Sequence, residues 1–172
     1  MLKLPIRTLR AGCALALAAL AAAPGPAAVL GPEAAACRAG AKKPALLVTV
    51  TGFKARAGTV RVQLYGSDPA DFLASGRGLK RLDLPVTGAG AMPMCIALPR
   101  AGTYAVGVRH DLDDDGRSGW SDGGGFSNNP RISFARLRPS HGEVAVRVEK
   151  GVKAIGITLF YRQGLEIGPA GG

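Results

Sequence analysis

The sequence predicts an all-β fold, an immunoglobulin-like or transthyretin-like antiparallel β-sandwich of about seven to eight strands. Three observations predict it. Apolar residues recur with period two in short runs over 45–163, the spacing of a half-buried strand. Between the runs stand turn residues, drawn from 25 Gly and 12 Pro in 172 residues, which break helices and punctuate turns. About eight runs follow one another at short intervals with no repeat and no change of composition, which favours a sandwich over a helical or α/β chain.

The runs can be taken in order. Leu46, Val48 and Val50 share one face of the first. Gly58 opens the second, where Val60, Val62 and Leu64 point inward and Arg61 and Gln63 outward. The five residues between the two suit a hairpin. Residues 66–79 read as a loop with a helical turn near Pro69–Ala74. Leu82, Leu84 and Val86 form the next apolar face, then Met92, Met94, Ile96 and Leu98, then Tyr104, Val106 and Val108, ending at Arg109-His110. After a Gly/Asp-rich loop come Ile132–Phe134, then Val144, Val146 and Val148, then Ile155, Ile157, Leu159 and Tyr161. Residues 164–172 read as a C-terminal tail.

The N-terminus has the marks of a secretory leader. Lys3, Arg7 and Arg10 precede an uncharged apolar stretch of 13 residues, Ala11 to Ala23, too short for the roughly 20 residues of a membrane span. The expected domain plan is a signal peptide over 1–28, with cleavage as late as Ala36, a flexible lead-in over 29–44, and the sandwich over 45–163. A chain starting at Val29 keeps 19 basic and 12 acidic residues, a balance of +7. The expected location is periplasmic or secreted, with no transmembrane segment once the leader is removed. Scattered basic residues without interleaved aromatics argue against nucleic acid. They suit solubility or steering toward polyanions, such as an acidic polysaccharide or another envelope component.

Of three cysteines, Cys13 lies in the leader. Cys37 and Cys95 remain, and two thiols in an oxidising compartment pair as a disulfide. Cys95 is out of phase with Met94 and Ile96 and should point away from their core. A bridge to Cys37 would pin the lead-in across that strand and cover a sheet edge.

The stretch from Asp111 to Asp122 carries the most specific chemistry. Asp111, Asp113 and Asp115 hold positions 1, 3 and 5 of a Ca²⁺ loop, Gly116 position 6 and Asp122 position 12. In such a loop alternate carboxylates converge on one cation and the glycine allows the sharp turn. Asp122 has a shorter arm than the usual Glu, Ser118 stands where an apolar residue is usual, and the flanks read as strands, so this is not an EF-hand. The competing reading is a solvated acidic turn partly neutralised by Arg109, Arg117 and Arg131. Beside it, Gly123–Gly125 permit tight or left-handed backbone. With Asn128 and Asn129 they are expected to form a long ordered loop packed over Trp120 and Phe126. Trp120 is expected to anchor that loop by burial; a ligand platform is the alternative. His110, Trp120, Phe126, Asn128 and Asn129 are the expected binding residues.

The run Gly102-Thr-Tyr104-Ala-Val106 through His110-Asp111, then Asp113, Asp115-Gly116 and Gly125-Phe126-Ser127-Asn128-Asn129, resembles the DUF2141 family of exported bacterial proteins. Val48–Gly52, Gly58–Tyr65 and the strand closing at Tyr161 resemble it too, so the likeness spans about 45–161. It implies a β-sandwich and export, and carries no established activity. Gly123-Gly124 stand where the family tends to show a Pro and an acid.

No nucleophile elbow, HExxH or CxxC motif is present, so the expected protein is a non-enzymatic periplasmic binding or accessory module with a Ca²⁺-stabilised Asp-rich loop. The enzyme alternative is a hydrolase using His110 and the loop carboxylates: Asp111 orients His110 as base, with Ser121 or Ser127 as nucleophile, or Asp111 pairs with Asp115 or Asp122 as the two carboxylates of a glycosidase do. A purely structural envelope protein is the third reading.

Overall fold

The computed structural model describes residues 27–170. Most of the expected signal peptide therefore lies outside the described residues. Ten strands make two sheets: β1 (Ala45–Thr51), β2 (Thr59–Tyr65), β3 (Lys80–Pro85), β4 (Met92–Ala97), β5 (Gly102–Asp111), β6 (Gly123–Phe126), β7 (Ala145–Val148), β8 (Val152–Thr158), β9 (Phe160–Gln163) and β10 (Glu166–Pro169). One sheet has three strands in the order β4-β1-β8. The other has seven, in the order β10-β9-β6-β5-β2-β3, with β7 also paired to β5. The all-β sandwich is as the alternation predicts.

Inward residues of both sheets build one core. Leu46, Val48 and Val50 of β1 lie opposite Ile96, Met94 and Met92 of β4, and all six are buried. They face Val60, Val62, Leu64, Val106 and Val108 of the larger sheet. Fully burying each such side chain contributes about 1.5–3 kcal/mol before the entropy of ordering is subtracted. The chain changes sheets at Leu159, between β8 and β9, where its N–H bonds to Thr51 O at 2.9 Å. A strand that switches sheets makes a corner of this kind.

Five features differ from the sequence expectations. β1 and β2 form no hairpin: β1 pairs with β4 and β8 and β2 with β3 and β5, because the residues between them cross from one sheet to the other. β1 and β8 run parallel, Ala45 opposite Val152, so the sandwich is not wholly antiparallel. Period two reports which face a residue takes, not strand direction, and no tight hairpin joins these two strands to force it. Ile132–Phe134 is not a strand; the segment turns back on itself through the Ser133–Arg136 bridge. Gly123–Phe126 is a strand, not a loop. The tail contributes β10, paired to β9.

The lead-in is tied down. Leu30 N–H bonds to Pro93 O at 2.7 Å, and Cys95 N–H to Leu30 O at 3.2 Å, so the segment covers the free edge of β4. Glu33 accepts from Lys80 Nζ at 2.6 Å and from Ala97 N–H at 2.9 Å. Burial raises the Glu33 pKa, but these donors outweigh it and leave it below 4.5. A 3-10 turn, Ala34–Cys37, then delivers Cys37, which forms a disulfide with Cys95. Cys95 does face away from the core, and is buried because this strap lies on it.

Candidate functional site

β5 is the central strand of the larger sheet, and its last three residues go to alternating faces. His110 points inward and is fully buried. Its Nδ1 lies 2.6 Å from the Tyr161 hydroxyl and its Nε2 2.7 Å from Ala57 O. A carbonyl only accepts, so Nε2 carries a proton, and in the neutral imidazole Nδ1 accepts from Tyr161. Burial pushes the Tyr161 phenol above its usual pKa of 10, which keeps that donor protonated. Gly58 makes the arrangement possible: a Cβ there would stand 2.0 Å from Asp111 O, so only glycine lets the start of β2 approach the end of β5.

Asp111 points the other way. The base–orienter pair of the hydrolase alternative does not form, because neighbours on a strand face opposite sides. Ser127 is no free nucleophile either: its hydroxyl is buried, accepting from Val106 N–H at 3.0 Å and bonding to Val144 O. His110 is thus part of the core, and Ser127 fastens β5 to the single helical turn α1 (His141–Val144) before β7.

The Asp111 carboxylate is 6% exposed and lies at the root of the acidic loop. Oδ2 accepts from Arg109 Nη2 at 2.7 Å and from Gly116 N–H at 3.1 Å. Oδ1 is buried and has no hydrogen-bond partner. One oxygen each from Asp111, Asp113 and Asp115 come within 4.8 Å of one another. Gly116, at φ +77°, makes the turn that brings them together. Asp122 does not join them. Its Oδ1 accepts from Leu112 N–H at 3.1 Å and its Oδ2 from Gly119 N–H at 2.8 Å, so it closes the loop by its backbone donors. The spacing thus brings positions 1, 3 and 5 together and gives position 12 a structural task.

The remaining expected binding residues divide. Asn128 and Asn129 hold left-handed backbone, φ +64° and +46°, which Asn tolerates better than most residues. The Asn128 amide donates to Glu143 O and Ala145 O. Asn129 donates to Gly156 O and accepts from Thr158 N–H. Both therefore join the loop to neighbouring strands. Phe126 packs edge-on against Phe72, centroids 6.0 Å apart. Trp120 is not the buried anchor expected: it is 73% exposed, with the Arg162 guanidinium 3.8 Å above its ring. It borders a hollow of about 280 Å³ with Phe134, Leu137, Phe160 and Ile167.

The glycines of β6 are there for close approach, not for left-handed turns. A Cβ on Gly123 would lie 2.4 Å from the Tyr161 ring, and one on Gly125 2.6 Å from Thr158 O. Sequence reading missed a second hollow, a groove of about 450 Å³ on the outer face of β2, β5 and β6. Arg61 and Gln63 read only as outward-facing residues of one strand, and cross-strand register is what puts them beside Arg109 and Gly107. Among the described residues no helix is long and apolar enough to cross a membrane.

No curated protein and no solved structure significantly matches the chain. The model of one family, described as an uncharacterized protein conserved in bacteria (DUF2141), matches residues 48–156, from within β1 to within β8. With most of the sandwich so matched, the chain belongs to the DUF2141 family.

Proposed function

We propose that the protein is an exported, non-enzymatic binding module whose 111–122 loop is stiffened by a divalent cation, calcium by its donor chemistry. The observation that carries the reading is the Asp111 carboxylate. Its Oδ1 is buried without a partner, and one oxygen of the same carboxylate converges with oxygens of Asp113 and Asp115. An unsatisfied buried carboxylate oxygen costs about 1–3 kcal/mol or more, and a bound cation would remove that cost. The donor set is hard oxygen, which suits Ca²⁺. Asp113 and Asp115 are exposed, so water completes the shell, and affinity is expected in the weak extracellular range of about 10⁻⁴–10⁻³ M.

Export is supported by the leader-like N-terminus and by the disulfide, which persists in oxidising compartments. The non-enzymatic reading is supported by His110 and Ser127, whose polar atoms are all committed to the fold. Calorimetric titration with CaCl₂ tests the cation. Saturable heat in the wild type, lost in an Asp113→Asn/Asp115→Asn variant that still melts cooperatively, supports it. Absence of saturable heat up to about 10 mM Ca²⁺ would overturn it.

A further inference from the structure

On the outer face of the larger sheet two glycines have no structural reason to be glycine. Gly107 in β5 and Gly124 in β6 both sit in mid-sheet strands, where glycine is unfavourable for want of side-chain packing and because of backbone entropy. Neither has a positive φ. A Cβ on Gly124 would meet only Val108 O, at 3.7 Å, and one on Gly107 would make ordinary contacts of 3.6–3.8 Å with Phe126 and Tyr65. Gly123 and Gly125 differ, since packing forbids any side chain there. What Gly107 and Gly124 share is their place: both line the groove on the outer face of the larger sheet. The sheet forgoes two side chains where they would fill that groove, and glycine inside a strand often marks the close approach of a ligand.

The walls indicate what approaches. Register sets Arg61 directly opposite Arg109 on this face. Arg109 is neutralised by Asp111 at 2.7 Å. Arg61 shares Asp83 with Arg81, each Nε 2.7 Å from one carboxylate oxygen. One carboxylate for two guanidiniums leaves a surplus positive charge at Arg61, which is engaged through Nε; Asp122 also lines the groove, but its oxygens are engaged by the N–H groups of Leu112 and Gly119. Ser118 adds a hydroxyl, and Tyr65 and Phe126 add aromatic surface. The groove shares Gly119, Asp122, Gly124 and Phe126 with the aromatic hollow bordered by Trp120, so the two form one continuous track. A volume of about 450 Å³ is that of a ligand site, far more than a bare inorganic anion needs.

We propose that this track binds an acidic saccharide, its carboxylate seated on the Arg61 guanidinium and its ring over the glycine floor. Arg and carboxylate make strong, often two-pronged hydrogen bonds, and the basic surface steers such a ligand inward. The seat and the floor, Arg61, Gly107 and Gly124, lie outside the 111–122 loop, while Ser118, Gly119 and Asp122 of the wall lie within it.

The test is a titration of the purified chain in chelator-containing buffer with a short oligoglucuronate and with a neutral cello-oligosaccharide of equal length. Calorimetry and the fluorescence of Trp120, the sole tryptophan, read it. Because Ser118, Gly119 and Asp122 of the groove belong to the 111–122 loop, the titration is repeated with calcium in place of chelator, and absence of binding counts against this proposal only when found in both buffers, which keeps its failure separate from failure of the calcium reading. The acidic oligomer should bind about tenfold or more tightly than the neutral one, and Arg61→Gln should remove the difference. Gly124→Val should abolish binding while leaving the melting temperature equal or higher, because a β-branched residue suits an open strand site. Equal affinity for the two oligomers, absence of binding in both buffers, or wild-type binding by the Gly124→Val protein would overturn the proposal. So would a concentration-dependent dimer that Gly124→Val dissolves, since a second copy would then be the occupant.

Discussion

Reducing the Cys37–Cys95 bridge should cost the fold about 4 kcal/mol. The bridge spans 58 residues. In the chain-entropy model a closed loop of that length removes about 14 cal/mol/K from the unfolded ensemble, which is about 4 kcal/mol at 25 °C. The folded side should change little, because the strap keeps its other anchors: the Leu30 bonds to Pro93 and Cys95, and Glu33 with Lys80 and Ala97. An unfolding entropy of about 0.3 kcal/mol/K for a chain of this size turns that loss into a melting point lower by about 14 °C. Urea denaturation of oxidised and reduced protein reads the free energy, with circular dichroism confirming that the reduced protein remains folded in water. Exposure of more surface in the reduced unfolded state should also raise the urea dependence. Coincident transitions, or a loss below about 1 kcal/mol, would refute the reasoning that the bridge acts by restraining the unfolded chain.

Other perturbations separate the parts of the account. His110→Phe should cost about 2–4 kcal/mol by urea denaturation, because the Tyr161 hydroxyl and Ala57 carbonyl lose their partner in the core; a neutral result would contradict the buried hydrogen-bond chain. Gly123→Ala should destabilise by about 1–3 kcal/mol through overlap with the Tyr161 ring, whereas Gly156→Ala, with nothing within 4 Å, should be neutral or slightly stabilising; the reverse order would contradict the β6–β9 register. Glu33 has a lowered pKa, so its contribution is fully present above the ordinary 4.5 and is lost as pH falls through the lowered folded value. Melting of wild type and Glu33→Gln against pH should therefore show a stability difference at neutral pH that closes below 4.5; a difference that widens with acid would contradict the Lys80 pairing.

Much of this architecture is legible in the sequence because period two reports burial directly. Leu46, Val48 and Val50, or Val60, Val62 and Leu64, can be assigned to the core with no knowledge of their partners, and the phase of Cys95 against Met94 and Ile96 places the disulfide outside the core. Strand direction is not written in that period, which is why the parallel β1–β8 pair is invisible until the sheet is assembled. β6 is hidden for a different reason. Its glycines resemble loop residues, and only the ring of Tyr161 and the backbone of Thr158, distant in sequence, show why a strand there must lack side chains. Ile132–Phe134 fails in the opposite way, with a local apolar alternation but no partner strand. At the loop, the spacing of Asp111, Asp113 and Asp115 carries the convergence, since alternate residues before a glycine turn face one point. Asp122 satisfies the pattern equally well on paper, yet the nearby N–H groups of Leu112 and Gly119 claim both its oxygens. The groove is a product of register alone, since Arg61 and Arg109 meet only across a strand pair.

The proposed function stands on a cation held at the Asp111 carboxylate, whose Oδ1 is buried and unpartnered. Crystals grown in calcium, with anomalous difference density measured at the 111–116 loop, test it most directly. A peak is expected about 2.3–2.6 Å from carboxylate oxygens of Asp111, Asp113 and Asp115. Density showing those oxygens turned to bulk water, with no peak among them at millimolar calcium, would contradict it.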